Sequence, residues 1–135
     1  ASSAPLAPAP LDRGGRLLYI EDNEVNVLLL RELLALRPGM ALHVAGDGQT
    51  GVTMAGELQP DLVLVDMHLP DFDGHEVLRR LKGNPGTAGL RCIALSANAM
   101  PEDVSRALAA GFDDYWTKPI DVQRFLEALD RLVPG

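Results

Sequence analysis

Short apolar runs alternate with amphipathic stretches from Arg16 onward. The apolar runs predict five strands, near residues 16–21, 41–45, 61–66, 91–96 and 113–117. The amphipathic stretches predict five helices, near residues 24–37, 48–58, 74–83, 101–110 and 121–132. The last helix has the clearest pattern, because Val122, Phe125 and Leu129 recur on one face at helical spacing.

This regular alternation of strand and helix predicts an α/β fold. Parallel strands joined by right-handed helical crossovers leave few topologies open. We expect the flavodoxin-like arrangement, a doubly wound five-stranded parallel sheet of order 2-1-3-4-5 with five helices. The domain should occupy residues 16–135, whereas residues 1–15 are rich in Ala, Pro and Ser and are typical of a linker or tail.

Polar side chains stand where the predicted strands end. Asp66 closes an unbroken apolar run, which is typical of a strand buried on both faces. Glu21 and Asp22 follow the first strand, Ser96 closes the fourth, and Lys118 follows the fifth. Open α/β sheets bind ligands at the carboxyl ends of their strands. If the strands are parallel neighbours, one sheet edge gathers three carboxylates, a hydroxyl and an ammonium group.

This set of side chains suits a hard cation and a phosphoryl group. Clustered carboxylates repel one another, and Mg²⁺ prefers oxygen ligands while keeping several waters. Asp66 is a candidate nucleophile, because a carboxylate oxygen can accept a phosphoryl group. Lys118 would supply positive charge and Ser96 a hydroxyl donor. The blander alternative is a solvated strand end at Glu21 and Asp22, with Asp66 acting as a turn or helix cap.

Four motifs in this order resemble the receiver domain of response regulators, the phosphoacceptor module of two-component signalling. Asp66 follows Asp22 by 44 positions, Ser96 follows Asp66 by 30, and Lys118 follows Ser96 by 22, which is similar to the family spacing. The motifs are Tyr19-Ile20-Glu21-Asp22-Asn23, Leu64-Val65-Asp66-Met67, Ala94-Leu95-Ser96-Ala97 and Thr117-Lys118-Pro119.

The resemblance implies roles for single residues. Asp66 would be phosphorylated from a phosphohistidine and slowly dephosphorylated, and Lys118 would contact the phosphoryl group. Ser96 and Tyr115 would form a switch pair, in which Ser96 moves toward the phosphoryl group and Tyr115 turns inward. The peptide bond between Lys118 and Pro119 would be cis. The Mg²⁺ ligands would be Glu21, Asp22, Asp66 and the backbone carbonyl of Met67.

Residues beside the motifs indicate which kind of protein carries this receiver-like domain. Residues 21–26 and 96–100 resemble receivers carried by hybrid histidine kinases, and the Pro-rich start could tether such a domain. The expected partner is then the dimerisation domain of a histidine kinase or a histidine phosphotransfer domain. A stand-alone single-domain response regulator is the alternative. Whether the chain counts as an enzyme stays open.

His68 lies two residues after Asp66, at a position that borders the attacking water in the family. Its imidazole would modulate hydrolysis of the phosphorylated state, or it would simply be a loop side chain with a local hydrogen bond. The same residue weighs against an aspartyl phosphohydrolase that depends on Mg²⁺, because such an enzyme usually has a second Asp there. The intact motif residues argue against a mere docking scaffold, and Glu21 and Asp22 would repel the phosphate of a flavin.

The net charge and the composition limit which partners and which cellular compartment we expect. The formal net charge of −7 argues against nucleic acid as a direct partner. No apolar run reaches the roughly 18 residues of a membrane span, so we expect no membrane contact. Cys92, the single cysteine, should be a small buried hydrophobic residue, and one cysteine fits a reduced, cytoplasmic compartment, which we take to be bacterial.

The two ends of the chain carry expectations of their own. Ala1 opens the chain without a basic region followed by an apolar run, so we expect no secretory signal and interpret the start as a processed or excised end. The chain ends just after the last predicted helix, so no output domain is expected to follow it.

Overall fold

Strands and helices alternate along the chain, as the hydrophobic pattern predicts. The computed structural model describes residues 15–98 and 100–133; the predicted linker therefore lies almost wholly outside the described residues. The elements are β1 (Arg16–Ile20), α1 (Glu24–Leu34), β2 (Ala41–Ala45), α2 (Gly48–Leu58), β3 (Leu62–Asp66), α3 (Gly74–Lys82), β4 (Cys92–Ser96), α4 (Pro101–Ala110), β5 (Asp114–Thr117) and α5 (Val122–Leu132).

All neighbouring strands pair in parallel, in the order β2-β1-β3-β4-β5. The predicted flavodoxin-like topology is therefore confirmed. Every residue of β3 and β4 is buried, which explains their unbroken apolar sequence. Helices cover both faces of the sheet because each face is apolar.

The two faces of the sheet form separate halves of the core. Helices α1 and α5 cover the face that carries Leu17, Tyr19, Leu64, Ile93 and Trp116. Helices α2, α3 and α4 cover the opposite face; its buried residues include Leu18, Ile20, Val63, Val65, Ala94 and Tyr115. Alternate residues of each strand point to opposite faces, so Tyr115 and Trp116 lie on different sides of the sheet. Trp116 is buried against Phe125.

Helix α1 is shorter than predicted, and the expected end at residue 37 was wrong. It ends at Leu34, after which the Arg37 N–H donates to the Leu34 carbonyl at 2.9 Å in a tighter turn. Pro38 follows, and the residue before a proline is disfavoured in helical conformation. Gly39 then turns the chain toward β2 with a positive φ of 103°.

Aspartate and asparagine side chains fix the starts of four helices. Asn23, Asp47, Asp73 and Asp121 each accept a hydrogen bond from a backbone N–H in the first turn. Such N-caps satisfy backbone donors that have no partner within the helix.

Cys92 is buried in β4, and burial raises the pKa of its thiol to about 12. It therefore packs as a small hydrophobic residue, as predicted. Among the described residues, no helix has the length and apolar character that crossing a membrane requires.

Candidate functional site

Three carboxylates meet at the carboxyl edge of the sheet. Glu21, Asp22 and Asp66 each place a carboxylate oxygen within 4.8 Å of the others. The register of the sheet causes this, because Ile20 pairs with Val65 and the residues after them emerge side by side. The sequence prediction that these three residues come together is confirmed.

A single ammonium group lies between the two buried carboxylates of this cluster. Glu21 and Asp66 are buried, whereas Asp22 is exposed. The Nζ of Lys118 lies 2.8 Å from Oε1 of Glu21 and 3.2 Å from Oδ2 of Asp66. Lys118 reaches them from the end of β5 across β4, and its peptide bond to Pro119 is cis, as predicted. Three carboxylates against one ammonium leave the edge of the sheet anionic.

Burial and ion pairing shift the pKa values of Asp66 and Glu21 in opposite directions. Burial raises the pKa of Asp66, and the Glu21 carboxylate raises it further, although the His68 N–H and Lys118 oppose both effects. Burial also acts to raise the pKa of Glu21, but hydrogen bonds from Lys118, Asp66 and the Asn23 N–H bring it below its ordinary value. The pKa of Asp66 therefore lies above its ordinary value and that of Glu21 below it.

Protein donors surround Glu21. Its Oε1 accepts from the Tyr19 hydroxyl at 3.0 Å and from Nδ2 of Asn26 at 3.3 Å. Its Oε2 accepts from the Asn23 N–H at 3.2 Å. Sequence reasoning missed Tyr19 and Asn26 as site residues. The signal for Tyr19 was its position two residues before Glu21, since strand alternation puts the two side chains on one face.

The loop after β3 places the Asp66 carboxylate and the Met67 carbonyl. The His68 N–H donates to Oδ1 of Asp66 at 3.0 Å, and the Met67 carbonyl accepts from the Gly74 N–H at 3.2 Å. A carbonyl oxygen has two lone pairs, so that of Met67 keeps one for a further partner. The imidazole of His68 is exposed.

Ser96 and Tyr115 contact the β4–α4 loop rather than the carboxylates. The Ser96 hydroxyl accepts from the Asn98 N–H at 3.1 Å, and the Tyr115 hydroxyl donates to the Asn98 carbonyl at 2.5 Å. Tyr115 is already an inward, buried side chain, with 7% of its surface exposed. Together with Met67 and His68, these three residues line a cavity of about 230 Å³ beside the site.

The comparison with known families decides what kind of domain this is. Residues 17–130 match the family described as the response regulator receiver domain. The chain belongs to the receiver-domain family of response regulators. Receiver domains act in two-component signalling and bind Mg²⁺ at an acidic site. The acidic cluster of this receiver domain offers the oxygen ligands that such a site needs.

Relatives of this receiver domain include a response regulator and receiver domains of histidine kinases. The polar-differentiation response regulator DivK of Brucella anthropi is 35% identical over 113 residues, which cover 84% of this chain and 91% of DivK. The receiver domain of sensor histidine kinase PA1611 from Pseudomonas aeruginosa PAO1 is 31% identical, with a TM-score of 0.79 and coverage of 89% and 98%. Its structure has a magnesium ion coordinated in the active site cleft.

A second kinase-borne receiver domain is similar in sequence and structure. The receiver domain of a signal transduction histidine kinase from Syntrophus aciditrophicus is 30% identical, with a TM-score of 0.77. The superposition covers 88% of this chain and 89% of that one.

Gly74 is expected to be essential for the geometry of the loop after Asp66. A Cβ at this position would lie 2.5 Å from Sδ and 3.0 Å from Cα of Met67, and 3.2 Å from the Asp66 carbonyl oxygen. Gly74→Ala should therefore lower the free energy of unfolding by about 1–3 kcal/mol. Urea denaturation followed by circular dichroism measures the difference.

Gly89→Ala is the matched control for this prediction, because a Cβ there meets no atom within 4 Å. Its unfolding midpoint should stay close to that of the wild type. Equal midpoints for the two alanine variants would contradict the tight packing of Gly74 against the loop.

Proposed function

We propose that this receiver domain accepts a phosphoryl group from a phosphohistidine on Asp66. One Asp66 oxygen attacks the phosphorus, the P–N bond breaks, and the imidazole leaves with its electron pair. The observation that carries the proposal is the placement of Asp66, a buried carboxylate 3.2 Å from the Lys118 ammonium and beside Glu21 and Asp22. Phosphoryl transfer depends chiefly on positioning and charge neutralisation, which this arrangement provides.

The residues that would hold Mg²⁺ are Glu21, Asp22, Asp66 and the Met67 carbonyl. They fit this ion, because all four offer hard oxygen ligands and the carboxylates exceed the available ammonium charge. Bound Mg²⁺ would neutralise negative charge on the phosphoryl oxygens. The ionised carboxylate of Asp66 would be the nucleophile.

Lys118 and Ser96 would contact the transferred phosphoryl group. The ammonium of Lys118 already lies against Asp66 and has to move only locally to reach an oxygen bound to it. The Ser96 hydroxyl accepts a hydrogen bond from Asn98 and so keeps its own proton available for donation. Movement of Ser96 would strain the β4–α4 loop at Asn98, whose carbonyl accepts a hydrogen bond from the Tyr115 hydroxyl. Ser96 and Tyr115 would thus act as the switch pair through this loop.

The phosphodonor would be a histidine kinase dimerisation domain or a histidine phosphotransfer domain. Asp66 is only 3% exposed, so a donor has to present a slim group, such as an imidazole phosphate, in the cleft. The exposed apolar residues Val25 and Leu28 line a groove with Glu21 and Asp22, and such residues support protein docking beside the site.

The hybrid-kinase context rests on the relatives carried by histidine kinases and on the Pro-rich start of the chain. In that context residues 1–15 would serve as a tether, residues 16–135 would be the receiver, and the domain would work in a bacterial cytoplasm. A stand-alone response regulator is the second candidate, favoured by the 91% coverage of DivK.

Phosphorylation should be confined to Asp66. With Mg²⁺ and acetyl phosphate, intact-mass measurement should show one phosphate on the wild type and none on Asp66→Asn. Asp130→Asn is the control, since Asp130 lies on the exposed outer side of α5 and pairs with Arg37. Phosphorylation of the Asp66→Asn variant would contradict the assignment of Asp66 as the phosphorylated residue.

Magnesium should stabilise the folded domain, because the carboxylate cluster exists only in the native state. At one hundred times the dissociation constant, the free energy of unfolding should rise by roughly 2.7 kcal/mol. The rise should shrink as pH is lowered, since burial raises the pKa of Asp66 and protons then compete with Mg²⁺ for its carboxylate. Urea denaturation with and without Mg²⁺ gives both results. The same stabilisation in an Asp22→Asn, Asp66→Asn double variant would count against the site.

His68 should tune the lifetime of the phosphorylated state without being needed to form it. Its exposed imidazole borders the mouth of the cavity beside Asp66, where water has to approach the phosphorus. Measured from pH 6 to 8, dephosphorylation of wild type and His68→Ala should proceed at different rates, because the imidazole lies where the attacking water must approach. Identical rates across this range would return His68 to the role of a loop residue.

A further inference from the structure

Three hydrogen-bond donors meet at one oxygen of Glu21, and the phosphorylation chemistry proposed above does not explain why there are so many. Oε1 accepts from Nζ of Lys118 at 2.8 Å, from the Tyr19 hydroxyl at 3.0 Å and from Nδ2 of Asn26 at 3.3 Å. A carboxylate oxygen offers about two lone pairs, so three donors exceed its capacity. One donor can therefore leave without exposing an unsatisfied buried anion.

Lys118 is the donor that would leave, because the proposed function gives it a second acceptor. We infer that Tyr19 and Asn26 are positioning residues that hold Oε1 of Glu21 while Lys118 transfers to the phosphoryl group. The inference rests on the proposed function of Asp66. Glu21 then keeps its orientation throughout the transfer. Oε2 accepts from the Asn23 N–H, whereas Oε1 has three donors.

The packing of Tyr19 separates this role from a purely structural one. Its ring is buried in the core under α1 and α5, with 1% of its surface exposed. Packing requires only the ring, because the ring alone would fill this space. The hydroxyl adds a polar group whose burial would be costly without a hydrogen-bond partner. The Tyr19 hydroxyl donates to Glu21 and thus gives the carboxylate a donor on a rigid, packed support.

Asn26 supplies the second donor from the start of α1. Its own N–H donates to Oδ1 of Asn23, the N-cap of that helix, at 3.2 Å. The same cap residue donates its N–H to Oε2 of Glu21. The beginning of α1 thus holds both carboxylate oxygens of Glu21, independently of Lys118.

The experiment compares Tyr19→Phe with Thr87→Val. Each change removes one buried hydroxyl, and Thr87 donates to the Leu81 carbonyl at 2.7 Å, in the connection that precedes β4. Isothermal calorimetry gives the Mg²⁺ dissociation constant, and mass spectrometry gives the rate of phosphorylation by acetyl phosphate. We expect Tyr19→Phe to raise the dissociation constant about tenfold and to slow phosphorylation. Thr87→Val should change neither, even if both variants unfold at lower urea concentrations.

A Glu21→Gln background shows whether Tyr19 acts through Glu21. There the change Tyr19→Phe should have no further effect on Mg²⁺ binding. Asn26→Ala, at a partly exposed helix position that does not endanger folding, should weaken Mg²⁺ binding in the same direction as Tyr19→Phe. Unchanged Mg²⁺ affinity in both Tyr19→Phe and Asn26→Ala, or an equal loss in the Glu21→Gln background, would overturn the inference. If the wild type neither binds Mg²⁺ nor becomes phosphorylated, the proposed function fails and this inference fails with it.

Discussion

The ammonium of Lys118 between the buried carboxylates of Glu21 and Asp66 is the interaction on which the site depends. Two neighbouring anions taken out of water cost several kcal/mol each unless they are paired and hydrogen-bonded. One cation at 2.8 and 3.2 Å offsets part of that cost and joins the ends of β1, β3 and β5. It does not cancel the charge, since Asp22 adds a third carboxylate. The residual negative charge is what makes the edge of the sheet suited to a divalent cation.

The sheet can hold these charged groups together because it is rigid and buried on both faces. Strands β3 and β4 have no exposed residue, so the backbone that carries Asp66 and Ser96 is held between two apolar layers. Only the carboxyl ends of the strands leave that apolar environment. The chemistry is therefore concentrated at one edge, while the rest of the domain supplies rigidity.

Two tyrosines on opposite faces of the sheet contact different parts of the site. Tyr19 lies on the face covered by α1 and α5, and its hydroxyl reaches the carboxylate of Glu21. Tyr115 lies on the other face, and its hydroxyl reaches the Asn98 carbonyl in the loop after β4. One hydroxyl thus stabilises the charged cluster, whereas the other holds the loop that borders Ser96. The carboxylate cluster and the loop beside Ser96 are thus supported from separate halves of the core.

The sequence by itself determined the order of elements, the parallel sheet and the identity of the clustered residues. Apolar runs, helical spacing and polar residues at strand ends are local features, and the parallel topology follows from them with few alternatives. The end of α1 was wrong by three residues, because the turn before Pro38 depends on how the chain enters β2. Only the tertiary structure decided that Tyr115 lies inward and donates to the Asn98 carbonyl, and that one ammonium bridges two carboxylates. These are contacts between residues far apart in the chain, such as Lys118 and Glu21, whose distances depend on strand register and side-chain packing and have no local sequence signal.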